Sequence, residues 1–498
     1  MTHYINIFDE HYLTKRLVNY ISKLFKTILP NTYYLVFLLY FSSVIVGVIE
    51  GEPIIVYLTI ILLFVGFFII ENGYGNSIDS QYLHAIFVWG FFIRILYSFA
   101  LYYWLLSSRG DPYLGGGDDR QYDMDGQLLF EGFIKNHYDI FNNYTSHPGY
   151  PFLNGILHYI GWMFGGYHLL VPRIFNAFIG SLIAPYVYIL SRNIYDRYIA
   201  ILSAVIVMLF PYFVFYSSIQ LRDIIIVFLF VFCVAQLSQY VRFGKYLSII
   251  KIVISVIILT LFRSAYGLAL IFILLICLLA FVFFDKSKTR AYRLQKIIII
   301  SFLVLISISY IVYINGSLND LMFGEMKQDG FADDKISRMR EASIYTGSNS
   351  SSLGSSLLKK SYGGAEYILI PAIALIMPYP PWDSLFYPGP LMFIDFINNL
   401  SWTLLMPLTF IGLFKLFRIN IPKNLFLIVP LIVILTFSST IGFELRYRLA
   451  AYPFAIIIAT IGFISVFHKK EFLGVKGYMF IQFFLLSVYS FMKYIGVV

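Results

Sequence analysis

The sequence predicts an all-α, polytopic membrane protein, and three observations carry that prediction. Mean hydropathy is +0.77, with 59% of residues hydrophobic and only 13% charged, outside the composition of soluble globular chains. The apolar residues fall in repeated runs close to the ~20 residues that span a bilayer. Lysine and arginine gather between those runs, and alternate threading puts the basic segments on one side. The length of 498 residues would otherwise suggest several soluble domains; the runs point to one membrane body.

Residues 1–32 carry Lys15, Arg16, Lys23 and Lys26 ahead of the first long run, without a small-residue cleavage site, so no cleavable signal peptide is expected. Leu17, Val18, Ile21, Leu24, Phe25, Ile28 and Leu29 recur there at helical spacing, which predicts an amphipathic helix on the cytoplasmic surface. Apolar runs follow at 33–50, 53–70, 83–107, 167–190, 198–216, 222–241, 246–262, 266–284, 297–314, 397–414, 424–441, 447–466 and 473–491, roughly thirteen spans. Two shorter pieces, 151–165 and 366–378, read as re-entrant or interfacial; the second contains Pro371 and Pro378. The expected organisation is a cytoplasmic segment 1–32, two additional spans in 33–82 and a transmembrane core 83–314 with an outer loop 108–150. An outer loop with a re-entrant piece in 315–396 and C-terminal spans in 397–498 complete it.

The cytoplasmic side is expected to hold the N-terminal segment, Arg192 and Arg197, Arg242 and Lys245, and the basic loops 286–296, 415–423 and 468–476. Loop 71–82 falls on the same side but carries Glu71 and Asp79 and no lysine or arginine. The net charge of +9 is spread over these loops, so topology accounts for much of it and a nucleic-acid partner is rejected. Cys233 and Cys277 both lie in apolar runs and suggest neither a disulfide framework nor a metal site.

The opposite face collects the unusual residues. The stretch from Gly115 to Asp125 holds Asp118, Asp119 and Asp123 after a glycine run that disfavours helix. Asp118 and Asp119 are candidates for a general base or a metal ligand; as a plain structural alternative, one of them caps the following helix. His147, in Ser146-His147-Pro148, could orient a substrate or sit as a turn histidine at headgroup level. Arg222 and Asp223 could pair with one another, or Arg222 could meet a phosphate with Asp223 holding it. Arg263 ends a span on the same face, and Glu444, Arg446 and Arg448 crowd a tight tip, where two guanidinium forks would suit one anion. Outer arginines run against the basic-inside bias, so as a set they favour a phosphate pocket over topology. A Walker A loop, a His-Glu-x-x-His pair, a Cys/His cluster and a Gly-x-Ser-x-Gly elbow are all missing, which leaves an ATP-driven pump and a zinc hydrolase without local support.

Asp118-Asp119-Arg120-Gln121-Tyr122 after an early span resembles the Asp-acidic-x-x-Tyr motif of the membrane-embedded GT-C glycosyltransferases, which include protein O-mannosyltransferases and aminoarabinose transferases. His147-Pro148 resembles the His-Pro element that follows it. Leu221-Arg222-Asp223, Tyr379-Pro380-Pro381-Trp382 and Glu444-Leu445-Arg446-Tyr447-Arg448 look like later landmarks of bacterial members. The resemblance covers about 83–466; two spans precede the usual first one, and Gly149 stands where a second proline is usual. It implies a GT-C-like fold in a bacterial plasma membrane, and a donor sugar on a polyprenyl phosphate presented at the outer face. The acceptor is a lipid, glycan or protein, transfer is inverting, and some members need a divalent metal. It also implies Asp118 as general base with Asp119 assisting, Tyr122, His147, Asp223 and Glu444 lining the site, and Arg222, Arg446, Arg448 and Arg263 facing the lipid phosphate.

Two other readings stay open. A polysaccharide polymerase or ligase acting on polyprenyl-linked glycans would place its key residues in a large later loop such as 315–362. A lipid-linked-glycan flippase would also use intramembrane charge and re-entrant pieces, but usually shows a repeat between halves that this chain lacks.

Overall fold

A computed structural model describes residues 34–74, 78–114, 118–135, 149–284, 380–382, 392–418, 421–441, 445–469 and 482–488, with isolated residues near both ends of the chain. Every described element is helical: α1 (Tyr34–Glu50), α2 (Ile54–Tyr74), α3 (Ile78–Arg109), α4 (Asp118–Lys135), α5 (Gly149–Met163), α6 (Leu170–Ile194) and α7 (Arg197–Leu209). They continue with α8 (Pro211–Ser217), α9 (Asp223–Phe243), α10 (Leu247–Phe262), α11 (Ser264–Phe284), α12 (Met392–Arg418) and α13 (Ile421–Ile441). A 3₁₀ turn (Leu445–Ala451) and α14 (Tyr452–Lys469) follow.

The chain is a multi-pass integral membrane protein. Six segments are long and apolar enough to cross a bilayer, or seven if the bent pair α7–α8 counts as one, and four shorter apolar helices accompany them. The expectation of about thirteen spans is therefore met in part among the described residues; the run at 297–314 and about half of 473–491 lie outside them, as do 1–31, 315–362 and 366–378. The run expected at 198–216 is broken by 52°. Pro211 lacks an amide hydrogen and pushes Phe210 into extended backbone (φ −63°, ψ 122°), so the helix stops and restarts.

Interior and periphery separate by burial. Of the membrane-length windows, 89% of α6 is buried in protein against 44% of α2, so α6 is a central post and α2 faces lipid. α6 packs against α3, α7 and α9. α12 and α14 cross at Gly412 and Gly462, where a Cβ on either glycine would run into a backbone carbonyl of the facing helix. The hairpin α1–α2 is tied to the rest by Glu50, which accepts from Tyr103 Oη at 2.7 Å and pairs with His168 Nε2 at 3.0 Å.

The two ends of the bundle carry different chemistry. At one end Asp79 pairs with Arg192 at 3.4 Å and Arg197 at 3.1 Å, so the acid in loop 71–82 lies among basic groups. Arg222 lies at the other end: it precedes α9, whose far end carries Arg242, donating to Arg192 O at 2.9 Å, and Asp118, Arg263 and Arg446 cluster near Arg222.

Candidate functional site

The acidic stretch is held before it becomes a helix. Gly110 (φ +68°) closes α3, donating its amide to Leu106 O at 2.9 Å. In the turn that follows, Arg173 on α6 donates to Pro112 O at 2.5 Å, Arg109 donates to Leu114 O at 2.6 Å and Arg120 pairs with Asp111 at 3.2 Å. Asp119 is 2% exposed and accepts the Leu114 amide at 2.7 Å and the Arg120 amide at 3.0 Å. Asp119 thus does the loop-tying work expected of a cap. Asp118, its neighbour, points outward; its side chain is 48% exposed and its Oδ2 accepts from Arg446 Nη1 at 2.5 Å, across 328 positions of sequence.

A third carboxylate of the stretch, Asp123, is a buried hub. It accepts from Tyr113 Oη at 2.7 Å, from Gln220 Nε2 at 3.0 Å and from Tyr167 Oη, and it faces His158 Nε2 at 3.3 Å. Burial alone would push its carboxyl up; the neighbouring His158 ring and the hydrogen bonds from Tyr167, Tyr113 and Gln220 outweigh that and hold it below the usual range. Its partners come from four separate segments, so Asp123 ties α4 to α5, to the segment before α6 and to the turn before α9. The signal that could have marked it is its spacing of four from Asp119, which puts both on the inward face of α4.

The turn between α8 and α9 is held on both sides. Ser98 Oγ donates to Ser218 O at 3.3 Å, and Asn176 Nδ2 reaches Ile219 O at 2.7 Å and Leu221 O at 2.9 Å, while Gln220 reaches Asp123. Arg222 leaves this turn with its guanidinium over the Tyr122 ring at 5.6 Å, donating to Phe262 O at 3.3 Å. The very next residue is Arg263, 4.6 Å from the Tyr447 ring centre, and Arg446 lies 5.5 Å from the same ring. Tyr122 sits among these charges: burial pushes its phenol up to about 12, with Arg222 and Arg446 pulling down and Asp223 and Asp118 pushing up.

Arg222 and Asp223 do not pair with each other, and among the described residues neither has an ion-pair partner. Arg448 also departs from expectation. It is fully buried in a cage of Tyr212, Trp402 and Tyr452 rings at 5.5–5.8 Å, donating to Asn399 Oδ1 at 3.2 Å and Tyr212 Oη at 3.3 Å. A 3₁₀ turn advances about 120° per residue, so positions 446 and 448 face different ways and cannot fork onto one anion. His147 and Glu444 lie outside the described residues.

The arrangement pairs one half-exposed carboxylate with Arg446, in a cluster with Arg222 and Arg263, and each guanidinium carbon lies 4.6–5.6 Å from a tyrosine ring centre. No group of three His, Cys, Asp or Glu converges among the described residues. Asp119 and Asp123 are committed to donors within the protein.

Residues 149–324, about a third of the chain, match a family model described as dolichyl-phosphate-mannose-protein mannosyltransferase. No curated protein matches the chain at a significant level. Solved structures that resemble it include the archaeal oligosaccharyltransferase of Archaeoglobus fulgidus in complex with an inhibitory peptide and a dolichol-phosphate (TM-score 0.47, 13% identity, 86% of this chain and 55% of that one). The enzyme of the same organism tethered to an acceptor peptide gives 0.47 and 15% over the same shares, and its complex with Zn and sulfate gives 0.44 and 16% over 80% and 53%. The chain spans about half the length of each of these structures.

Proposed function

We propose that this protein is an inverting glycosyltransferase of the GT-C superfamily that moves a sugar from a polyprenyl-phosphate carrier to an acceptor hydroxyl at the outer membrane face. The observation that carries the reading is the contact of Asp118 with Arg446 in one cluster with Arg222 and Arg263. The match to the mannosyltransferase family model supports it over 149–324, which includes Arg222 and Arg263 but neither Asp118 nor Arg446. The basic end around Arg192 and Arg197, opposite the cluster, supports the outer-face assignment.

In the reaction, the acceptor hydroxyl attacks the anomeric carbon on the side away from the carrier, and Asp118 takes its proton. The bond from that carbon to the phosphate oxygen breaks, and its electron pair leaves with the polyprenyl phosphate. Charge grows on the phosphate as the bond breaks, so fixed guanidiniums at Arg222, Arg263 and Arg446 favour the transition state over the bound donor. A bound phosphate competes with Asp118 for Arg446, which turns the carboxylate toward the acceptor. Arg448 takes no part in this step, and Asp119 acts by holding the loop that presents Asp118.

The test is Asp118→Asn, assayed for transfer of labelled sugar from polyprenyl phosphate. Transfer is lost while the variant inserts and purifies like the parent; full activity would overturn the assignment.

A further inference from the structure

Asp223 opens α9 and is 7% exposed, yet no described residue donates a hydrogen bond to its carboxylate. Its neighbour Arg222 spends its guanidinium on Phe262 O and the Tyr122 ring. Arg263, which follows Phe262, spends its own on the Tyr447 ring. The charge on Asp223 is felt at Tyr122, Tyr150, Arg263 and Tyr266, so the carboxylate lies within electrostatic reach of one cation and three phenols, none of which donates a hydrogen bond to it.

An acid in the first turn of a helix is favoured by the helix dipole. The dipole does not replace the hydrogen bonds a buried carboxylate loses on leaving water, and leaving them unmade is costly. Nor can the residue relax outward, because Asn176 and Gln220 pin the turn that carries it. A carboxylate held in this state is built to accept hydrogen bonds from something that arrives. The arrival cannot be the phosphate, which like charge repels; Arg222, its chain neighbour, and Arg263 are the natural seats of that group. What joins the phosphate and bears neutral donors is the sugar itself.

We propose that Asp223 reads the donor sugar, its carboxylate accepting hydrogen bonds from ring hydroxyls of a neutral hexose whose phosphate rests on Arg222 and Arg263. Asp223 is then a specificity-determining residue. The proposal rests on the glycosyl-transfer reading above.

The experiment uses the full-length protein in lipid nanodiscs, as wild type and as Asp223→Asn, with a panel of short-chain polyprenyl-phosphate hexoses and their monodeoxy analogues. For the preferred hexose the variant lowers kcat/KM about 10- to 100-fold, as for loss of a hydrogen bond to a charged group. One deoxy analogue is transferred by wild type at that same reduced efficiency, with no further loss in the variant. Affinity for sugar-free polyprenyl phosphate and the thermal unfolding midpoint are unchanged or higher in the variant. Equal discrimination of parent and deoxy sugars by both proteins, or a variant that loses affinity for the bare lipid phosphate, would sink the proposal and leave the transfer reading standing. A clear drop in the unfolding midpoint would also sink it, since it would assign Asp223 a structural bond. Failure of the wild type to transfer any hexose would bring down the transfer reading and this proposal together.

Discussion

Asp118 and Asp123 stand on the same short helix, about 140° apart around its axis. One is half exposed and meets a single arginine brought from far along the chain. The other is buried, accepts from three donors and faces the His158 ring, four partners from four segments. A saturated carboxylate holds protein together but has no lone pair left for chemistry. A carboxylate with one partner at an open edge contributes little to stability and can take a proton. α4 thus carries a reactive group on one side and the anchor that aims it on the other. Arg446 and Arg448 repeat the contrast: one at the open cluster, one sealed in an aromatic cage.

Variants that exchange these roles would break the comparison. The largest effect is expected from Asp118→Asn, a loss of about 10³-fold in transfer rate with little change in thermal unfolding. Asp123→Ala should do the reverse in kind, costing about 3 kcal/mol of stability because three buried donors lose their acceptor; thermal unfolding in detergent measures it. Its carboxyl is depressed in the folded state, so its contribution is full above the ordinary unfolded value near pH ~4 and is lost as pH falls through the lower folded value. Acid unfolding should therefore lose that component in Asp123→Asn, and an unchanged acid limb would remove Asp123 as the hub. Arg446→Gln is expected to weaken donor use about tenfold with stability kept, while Arg448→Gln lowers stability by about 2 kcal/mol and leaves the donor KM alone. If both raise KM alike, the division between the two arginines is wrong. The smallest effect belongs to Tyr167→Phe, about 1 kcal/mol from one lost donor, with transfer nearly intact.

Much of this was legible from residue order. The apolar runs marked the membrane helices, and the basic loops anticipated that Arg192 and Arg197 would share an end away from Asp118 and Arg222. The glycine run before Asp118 was read as a loop or helix start, and α4 does begin there. The break at Pro211 was missed because the run 198–216 is continuous in hydropathy, and hydropathy does not register the lost amide. Asp123 was missed because its donors are spread from Tyr113 to Gln220, and nothing near it in sequence announces them. The expected fork of Arg446 and Arg448 failed because a 3₁₀ turn, not an open tip, carries them.

By itself, then, the sequence determined which segments enter the membrane and which charges gather at each end, since both follow from composition along a few turns of chain. Only the tertiary structure decided which aspartate of an adjacent pair faces outward, which arginine reaches it, and which carboxylate receives no hydrogen bond from the described residues. Those outcomes depend on how far each helix is rotated about its own axis. That rotation is set by close contacts, such as Gly412 against α14 and Asn176 against the 219–221 turn, between residues distant in the chain.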